Sequence, residues 1–577
     1  MSATPSVNAS LPLRHGDFAT LTEALDYAAR GETGVNLHSP KGELIAAIPY
    51  RQLREEARAL AGRMLAAGLT PGERVAMIAG TDADFVRAFF ACQYAGLVPA
   101  PMPTPVAFGG KDGYIAHIRR MIETAGATAA LGPAELQAWL GLATEGLNLA
   151  IVGGLDAFPE IGLPETALPP VRTEDLCYLQ FSSGSTRFPL GISVTQKALM
   201  ANAAAICRDG LKVVVGDRAV SWLPLYHDMG LVGFLLTPLA CQLSIDLLPT
   251  TAFARRPFLW LELISRNKGS LSYSPSFGYD LCTRRAETLS FEGLDLSTWR
   301  VAGIGGDMIR PAILSAFADR FASAGYTGKA FVASYGMAEA VLALTMAPLN
   351  GGLNTEIVDT SALENDNRVV LSRAGDGRAR EFALCGKTLP GYRIEVRDAA
   401  GAIVRAGEVG RVFANGPSLM KAYFGRPEET ARVLSADGWL DTGDLGYMAG
   451  DQLVITGRAK DLIIVNGRNI WPQDLEWTAE AEAASLRSGD VAVFSLDEGE
   501  LETVVALVQC RIRDEAVRQE LRDEVSKILR QHHGLEVSVV LVPPHALPQT
   551  SSGKLSRSSA KAMYLRGAFA PALEPVG

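Results

Sequence analysis

No CxxC pair occurs in these 577 residues, and the seven cysteines (Cys92, Cys177, Cys207, Cys241, Cys282, Cys385, Cys510) stand singly. An odd, dispersed set excludes a ribbon-type zinc site and argues for reduced thiols rather than a disulfide framework. Long apolar runs are also missing. The most apolar stretch, Leu231 to Leu248, is broken by Pro238, Gln242 and Asp246, which suits a buried segment better than a membrane span. Charge of one sign is not in large excess: a net charge of −9 gives no reason to expect a nucleic-acid partner. The first residues, MSATPSVNASLPLRHGDF, lack a basic start followed by an apolar core, so no secretory signal is expected and a cytoplasmic location is. A P-loop is absent too, because no Gly-Lys-Ser/Thr follows a glycine at the required spacing.

What is present is an apolar fraction of 48% in a chain too long for one compact core. Helical and strand-like patterns alternate. Arg51 to Ala67 places Leu53, Ala57, Leu60, Ala61, Met64 and Leu65 on one helical face, and Glu73 to Gly80 reads as a buried strand. A helix over Asp84 to Ala95 and strands over Thr128 to Leu131 and Asn148 to Gly154 continue the alternation, which predicts α/β layers with much parallel pairing. A boundary is expected at Gly457 to Asp461. Beyond it, strands at 491–495, 503–509 and 537–542 and an amphipathic helix over Asp514 to Gln531 describe a small α+β unit.

Chemistry concentrates first in Leu179 to Ser193, LQFSSGSTRFPLGIS, where Ser182, Ser183, Gly184, Ser185 and Thr186 follow an apolar strand end. Such a loop offers N–H groups and hydroxyls to phosphate oxygens, although alone it is also an ordinary connection. Downstream, in order, come YGMAE (Tyr335 to Glu339), DTGDLG (Asp441 to Gly446), GRAKD (Gly457 to Asp461) and PQTSSGK ending at Lys554. With these five motifs the chain resembles, over roughly residues 40 to 565, the adenylate-forming superfamily of acyl-CoA synthetases, peptide-synthetase adenylation domains and luciferases.

The resemblance implies a large N-terminal domain (1–456) holding ATP and acid, a hinge (457–461) pivoting at Lys460, and a small mobile C-terminal lid (462–577). It implies that Lys554 bridges the carboxylate and the α-phosphate, that Asp444 and Arg458 hold the ribose, and that Tyr335 stacks on adenine beside Ser334, Gly336 and Met337. Gly305, Gly306 and Asp307 match the adenine loop, which in the family more often reads Ala-Glu at the last two places. Thr186 and Glu339 are the implied magnesium-side oxygens. His227, in LPLYHDMGL, is expected to orient the carboxylate, with a turn-capping histidine as the plain alternative; Ser274, Phe277 and Gly278 are expected along the acyl tunnel, or else in the core.

Two departures sharpen the resemblance toward fatty acyl-AMP ligases. Leu190 stands where most acyl-CoA synthetases carry a lysine, and about residues 350–381 form a polar insertion with one strand-like patch, RVVLS. Long connections of this kind are usually functional, and in that subfamily the insertion is associated with restricting lid movement. The implied activity is ATP- and Mg²⁺-dependent conversion of a fatty acid to acyl-AMP. Transfer then goes to a phosphopantetheinylated acyl carrier protein supplied in trans, feeding a polyketide or lipopeptide assembly line. Arg511, Arg513, Arg518, Arg557 and Arg566 are candidates to meet an acidic carrier. A fatty acyl-CoA synthetase, or a silent nucleotide-binding protein, are the alternatives.

Overall fold

A computed structural model describes residues 11–105, 110–182, 189–373, 375–376, 378–465, 467–497, 502–550 and 554–569. Its largest layer is a fourteen-stranded mixed sheet. The parallel part runs Gly34–His38, Ser244–Leu247, Arg218–Ser221, Leu271–Ser274, Val301–Ile304, Phe331–Gly336. These strands read as nearly continuous buried runs because helices cover both faces. Beyond Phe331–Gly336 the sheet turns antiparallel through Ala343–Met346, Ala379–Thr388, Gln452–Arg458 and Leu440–Ala449. A separate four-stranded parallel sheet is ordered Val98–Met102, Arg74–Ile78, Ala129–Leu131, Ile151–Gly153. The mixed α/β architecture is the one expected.

Local sequence explains many of the elements. The helix Tyr50–Ala66 buries Leu53, Ala57, Leu60, Ala61 and Met64, the stripe read from its periodicity. Asp82 caps Ala83–Tyr94 by accepting from Phe85 N–H at 2.8 Å. The apolar stretch from Leu231 is buried, but not as one regular helix: Val232–Leu236 is a π-helical turn between Asp228–Leu231 and Thr237–Ala240. A second π-turn, Ala205–Gly210, continues Gln196–Ala204. After residue 462 the chain builds its own core, where Pro472–Glu482 and Glu515–His533 pack on a sheet of Val491–Asp497, Glu502–Gln509 and Val537–Val542.

Two expectations need correction. Cys207 and Cys241 form a disulfide, so the thiols are not all reduced; the other five are free and buried. The bonded pair sits on neighbouring irregular helices 34 residues apart, a proximity that scattered sequence positions do not disclose. In the insertion, RVVLS forms no strand. It is held by isolated bridges, Val358 with Leu371 and Arg368 with Glu408, and by backbone bonds such as Asp359 N–H to Val370 O at 2.8 Å, while the regular elements just before it are the strand Thr355–Asp359 and the short helix Thr360–Asp366.

Candidate active site

The parallel strands end on one side of the sheet, and the motifs meet there, at the carboxyl ends where open α/β sheets bind ligands. Ser182 closes the Leu176–Phe181 strand, its N–H donating to Leu190 O at 3.0 Å. Ser183, Gly184, Ser185 and Thr186 lie outside the described residues. Gly305, Gly306 and Asp307 follow Val301–Ile304, with Gly306 at φ +78. Ser334, Tyr335 and Gly336 end the next strand, and Met337 leads into the short turn carrying Glu339. Gly336 is required by space: a Cβ there would stand 1.7 Å from Leu342 O.

Asp444 and Arg458 come together through strand register, Asp444 pairing opposite Arg458 across the Leu440–Ala449 and Gln452–Arg458 ladder. Arg458 Nε lies 3.3 Å from Asp444 Oδ1, and Tyr335 O–H donates to Asp444 Oδ2 at 2.6 Å. Burial pushes the Asp444 carboxyl up, against the pull of Arg458 and the Tyr335 hydrogen bond. Asp444 raises Arg458 in turn, more than burial lowers it. Glu339 accepts from Tyr423 O–H at 2.9 Å, and burial raises its carboxyl as well.

Lys554 reaches this cluster from the C-terminal unit. Its loop is pinned by Thr550 N–H donating to Lys554 O at 2.7 Å, and a Cβ placed on Gly306 would lie 4.0 Å from Lys554 Nζ. Burial pulls the ammonium below its ordinary range, partly offset by the charges of Asp307 and Asp228. Three residues on, Arg557 donates to both oxygens of Glu476, at 2.8 and 2.6 Å, and to Asp461 at 3.1 Å. Lys460 is exposed beside the same cleft.

His227 stands at a helix start beside the cleft. It caps Asp228–Leu231, and it lines the cavity that contains Lys554. Its Nδ1 lies 2.6 Å from Asp228 Oδ1, which fixes the ring. Burial opposes the Asp228 charge, but His227 and Lys554 together hold its carboxyl below the ordinary value. Asp228 is the site residue that the sequence reading passed over, although it stands inside the quoted LPLYHDMGL.

From His227, Gly305 and Gly306 a cavity of about 280 Å³ runs down between the sheet and the π-turns, past Tyr273 to Leu271 and Val213. A second, of about 400 Å³, opens on the other side of Tyr335, between Asp307 and Asp444 and the C-terminal unit's Glu476 and Trp477. Ser274, Phe277 and Gly278 differ from expectation. Ser274 Oγ donates to Pro275 O, Gly278 packs against Ser274 and Trp222, and Phe277 faces the second cavity, leaving Tyr273 as that motif's contact with the first. The arginines expected to face a carrier are largely committed within the chain, Arg511 to Asp490, Arg518 to Glu515 and Arg557 to Glu476.

A profile of AMP-binding enzymes matches residues 43–424. The chain is 58% identical over 557 residues to a putative acyl-CoA synthetase of Caulobacter vibrioides, covering 96% of this chain and 97% of that one. It is 30% identical to the medium-chain-fatty-acid–[acyl-carrier-protein] ligase JamA of Moorena producens, over 96% of each. Among solved structures, a fatty acyl-adenylate ligase from work on the E. coli and L. pneumophila enzymes superposes with a TM-score of 0.92 at 42% identity, covering 97% of this chain and 100% of that one.

Proposed function

The chain belongs to the AMP-binding enzyme family and is a fatty acid–AMP ligase within it, and we propose that it passes the acyl group to the phosphopantetheine thiol of a separate acyl carrier protein rather than to coenzyme A. A carboxylate oxygen attacks the α-phosphorus of ATP, and the bond to pyrophosphate breaks as the mixed anhydride forms. In the second step the thiol sulfur attacks the acyl carbon, AMP leaves, and the thiol proton goes to solvent.

Each residue's part follows from where negative charge grows. Lys554, aimed at Gly306, sits where the attacking carboxylate and the α-phosphate oxygens converge, and a positioned ammonium there stabilises the charge of the transition state. Asp444 and Arg458 suit the ribose hydroxyls, and the space between Gly306 and Tyr335 suits the base. His227, held by Asp228, orients the acid's carboxylate at the mouth of the apolar cavity. Among the described residues no three acidic, histidine or cysteine side chains gather as a metal cage. Glu339, with its Oε1 on Tyr423, fits the single carboxylate that magnesium uses alongside phosphate oxygens. That ion, when bound, neutralises charge on the departing pyrophosphate.

The choice of acceptor rests on one observation: the insertion grips the C-terminal unit. Glu364 receives Arg468 Nη2 at 2.7 Å, Arg380 Nη1 reaches Asp474 at 2.7 Å, and Asn469 donates to Asn367 at 3.1 Å. A lid pivoting near Lys460 to admit coenzyme A must break these contacts. The Caulobacter relative's description favours coenzyme A as the second reading. Supplying ATP and a fatty acid with either coenzyme A or a phosphopantetheinylated carrier separates them. Accumulating acyl-AMP with coenzyme A, and acyl-carrier with the carrier, is expected; rapid acyl-CoA formation would overturn the proposal.

A further inference from the structure

We propose that the backbone Leu211–Lys212–Val213 is a built floor that closes the acyl cavity and sets the length of acid accepted. This rests on the fatty-acid reading of that cavity. Leu211 and Val213 line its far end, both buried, while the next residues Val214 and Val215 are 53% and 62% exposed. One layer of chain therefore separates the end of the cavity from water.

That layer is tied down from several directions. Leu211 N–H donates to Ile206 O at 2.7 Å and Val213 N–H to Cys207 O at 2.8 Å, so the floor is the direct continuation of the π-turn Ala205–Gly210. Arg300 reaches up from the sheet, its Nη1 donating to Leu211 O at 3.1 Å and its Nη2 to Lys212 O at 3.3 Å. Its Nε is fixed by Asp217 at 2.8 Å, and Asp217 also receives Ser270 O–H at 2.7 Å. His15 Nε2 lies 2.9 Å from Val213 O. Lys212 adopts φ +46, a left-handed geometry that turns the chain across the opening. A loop bonded through all three of its carbonyls is not one that yields to a longer ligand at small cost.

Strand geometry supplies the depth. The cavity follows the strand Leu271–Ser274, where Tyr273 and Leu271 line it two residues apart and Ala219 stands opposite Leu271. Val301 pairs with Leu271, so the depth from the Gly305 mouth to the floor is four strand steps. At about 3.3 Å per strand residue and about 1.25 Å per carbon of an extended chain, that depth holds an acid of roughly ten to twelve carbons. The cavity's polar end is fixed by Lys554 beside Gly306, so the chain cannot gain room by sliding back.

The test is kcat/KM for pyrophosphate release with saturated acids from six to eighteen carbons, on the full chain and two variants with opposite expected signs. Wild type should peak near decanoate to dodecanoate and fall roughly tenfold or more by hexadecanoate, since one misfit methylene is already worth about tenfold in a closed pocket. Val213→Ala, which removes two methyl groups at the floor, should raise the tetradecanoate-to-dodecanoate ratio roughly tenfold, and Ala219→Leu, at the depth of Leu271, should move the peak to shorter acids. Ratios are read within each variant, so altered expression or partial unfolding does not mimic the result. Hexadecanoate turned over as well as decanoate by wild type, or length profiles identical in all three proteins, would overturn the floor while leaving fatty-acid activation intact. Absence of pyrophosphate release with every acid would instead remove the activation reading and the floor with it.

Discussion

Lys554 is the residue to which the proposed chemistry gives the central charge, and its surroundings make that role testable. Its ammonium is half-buried, feels Asp307 and Asp228, and stands over Gly306. Lys554→Ala removes the cation from the transition state and is expected to cost on the order of 3 kcal/mol, roughly a hundredfold in fatty-acid-dependent ATP–pyrophosphate exchange. The thermal midpoint should stay near the wild-type value, because Lys554 O still accepts from Thr550 N–H and Arg557 still holds Glu476. Exchange at the wild-type rate would contradict the assignment. Such residues were legible because each lies in a short local motif. Asp228 was passed over although it lies in one: only the fold shows its carboxylate 2.6 Å from the His227 ring.

At the scale of elements, periodicity carried the helices and buried strands, since one face or both must be apolar for them to pack. It did not carry the two π-turns at Ala205–Gly210 and Val232–Leu236, whose composition differs little from that of a helix. Nor did it carry the disulfide or the ties of the insertion, which join residues about a hundred positions apart, as Glu364 to Arg468. Those ties make the insertion testable. Glu364 is buried and accepts from both Arg378 and Arg468, so Glu364→Ala leaves two arginines without their shared partner. Adenylate formation should change little, because nothing at the nucleotide is touched. Acyl-CoA formation should rise several-fold as the lid is released; a product ratio identical to wild type would show that these contacts do not select the acceptor.

Across the whole molecule, the junction of the two cores is charged where most interiors are apolar. Arg310 from the body reaches Glu480 at 3.2 Å and Ser488 at 2.7 Å, and its guanidinium lies 4.9 Å from the Trp477 ring. Burial pushes the Glu480 carboxyl up to about 7, more than Arg310 lowers it. A group with that value in the folded chain and about 4.5 unfolded holds its proton more tightly in the fold. Its stabilising contribution is therefore full below about pH 4.5 and declines as pH rises toward 7, where the folded carboxyl ionises. Glu480→Gln keeps the shape and fixes the neutral state. The thermal midpoint of the wild type relative to this variant should therefore fall between about pH 5 and 7.5 and level off above it. A difference that stays flat over that range, or that rises with pH, would mean the Arg310 charge wins over burial and that the junction is a conventional ion pair rather than one that favours a protonated acid.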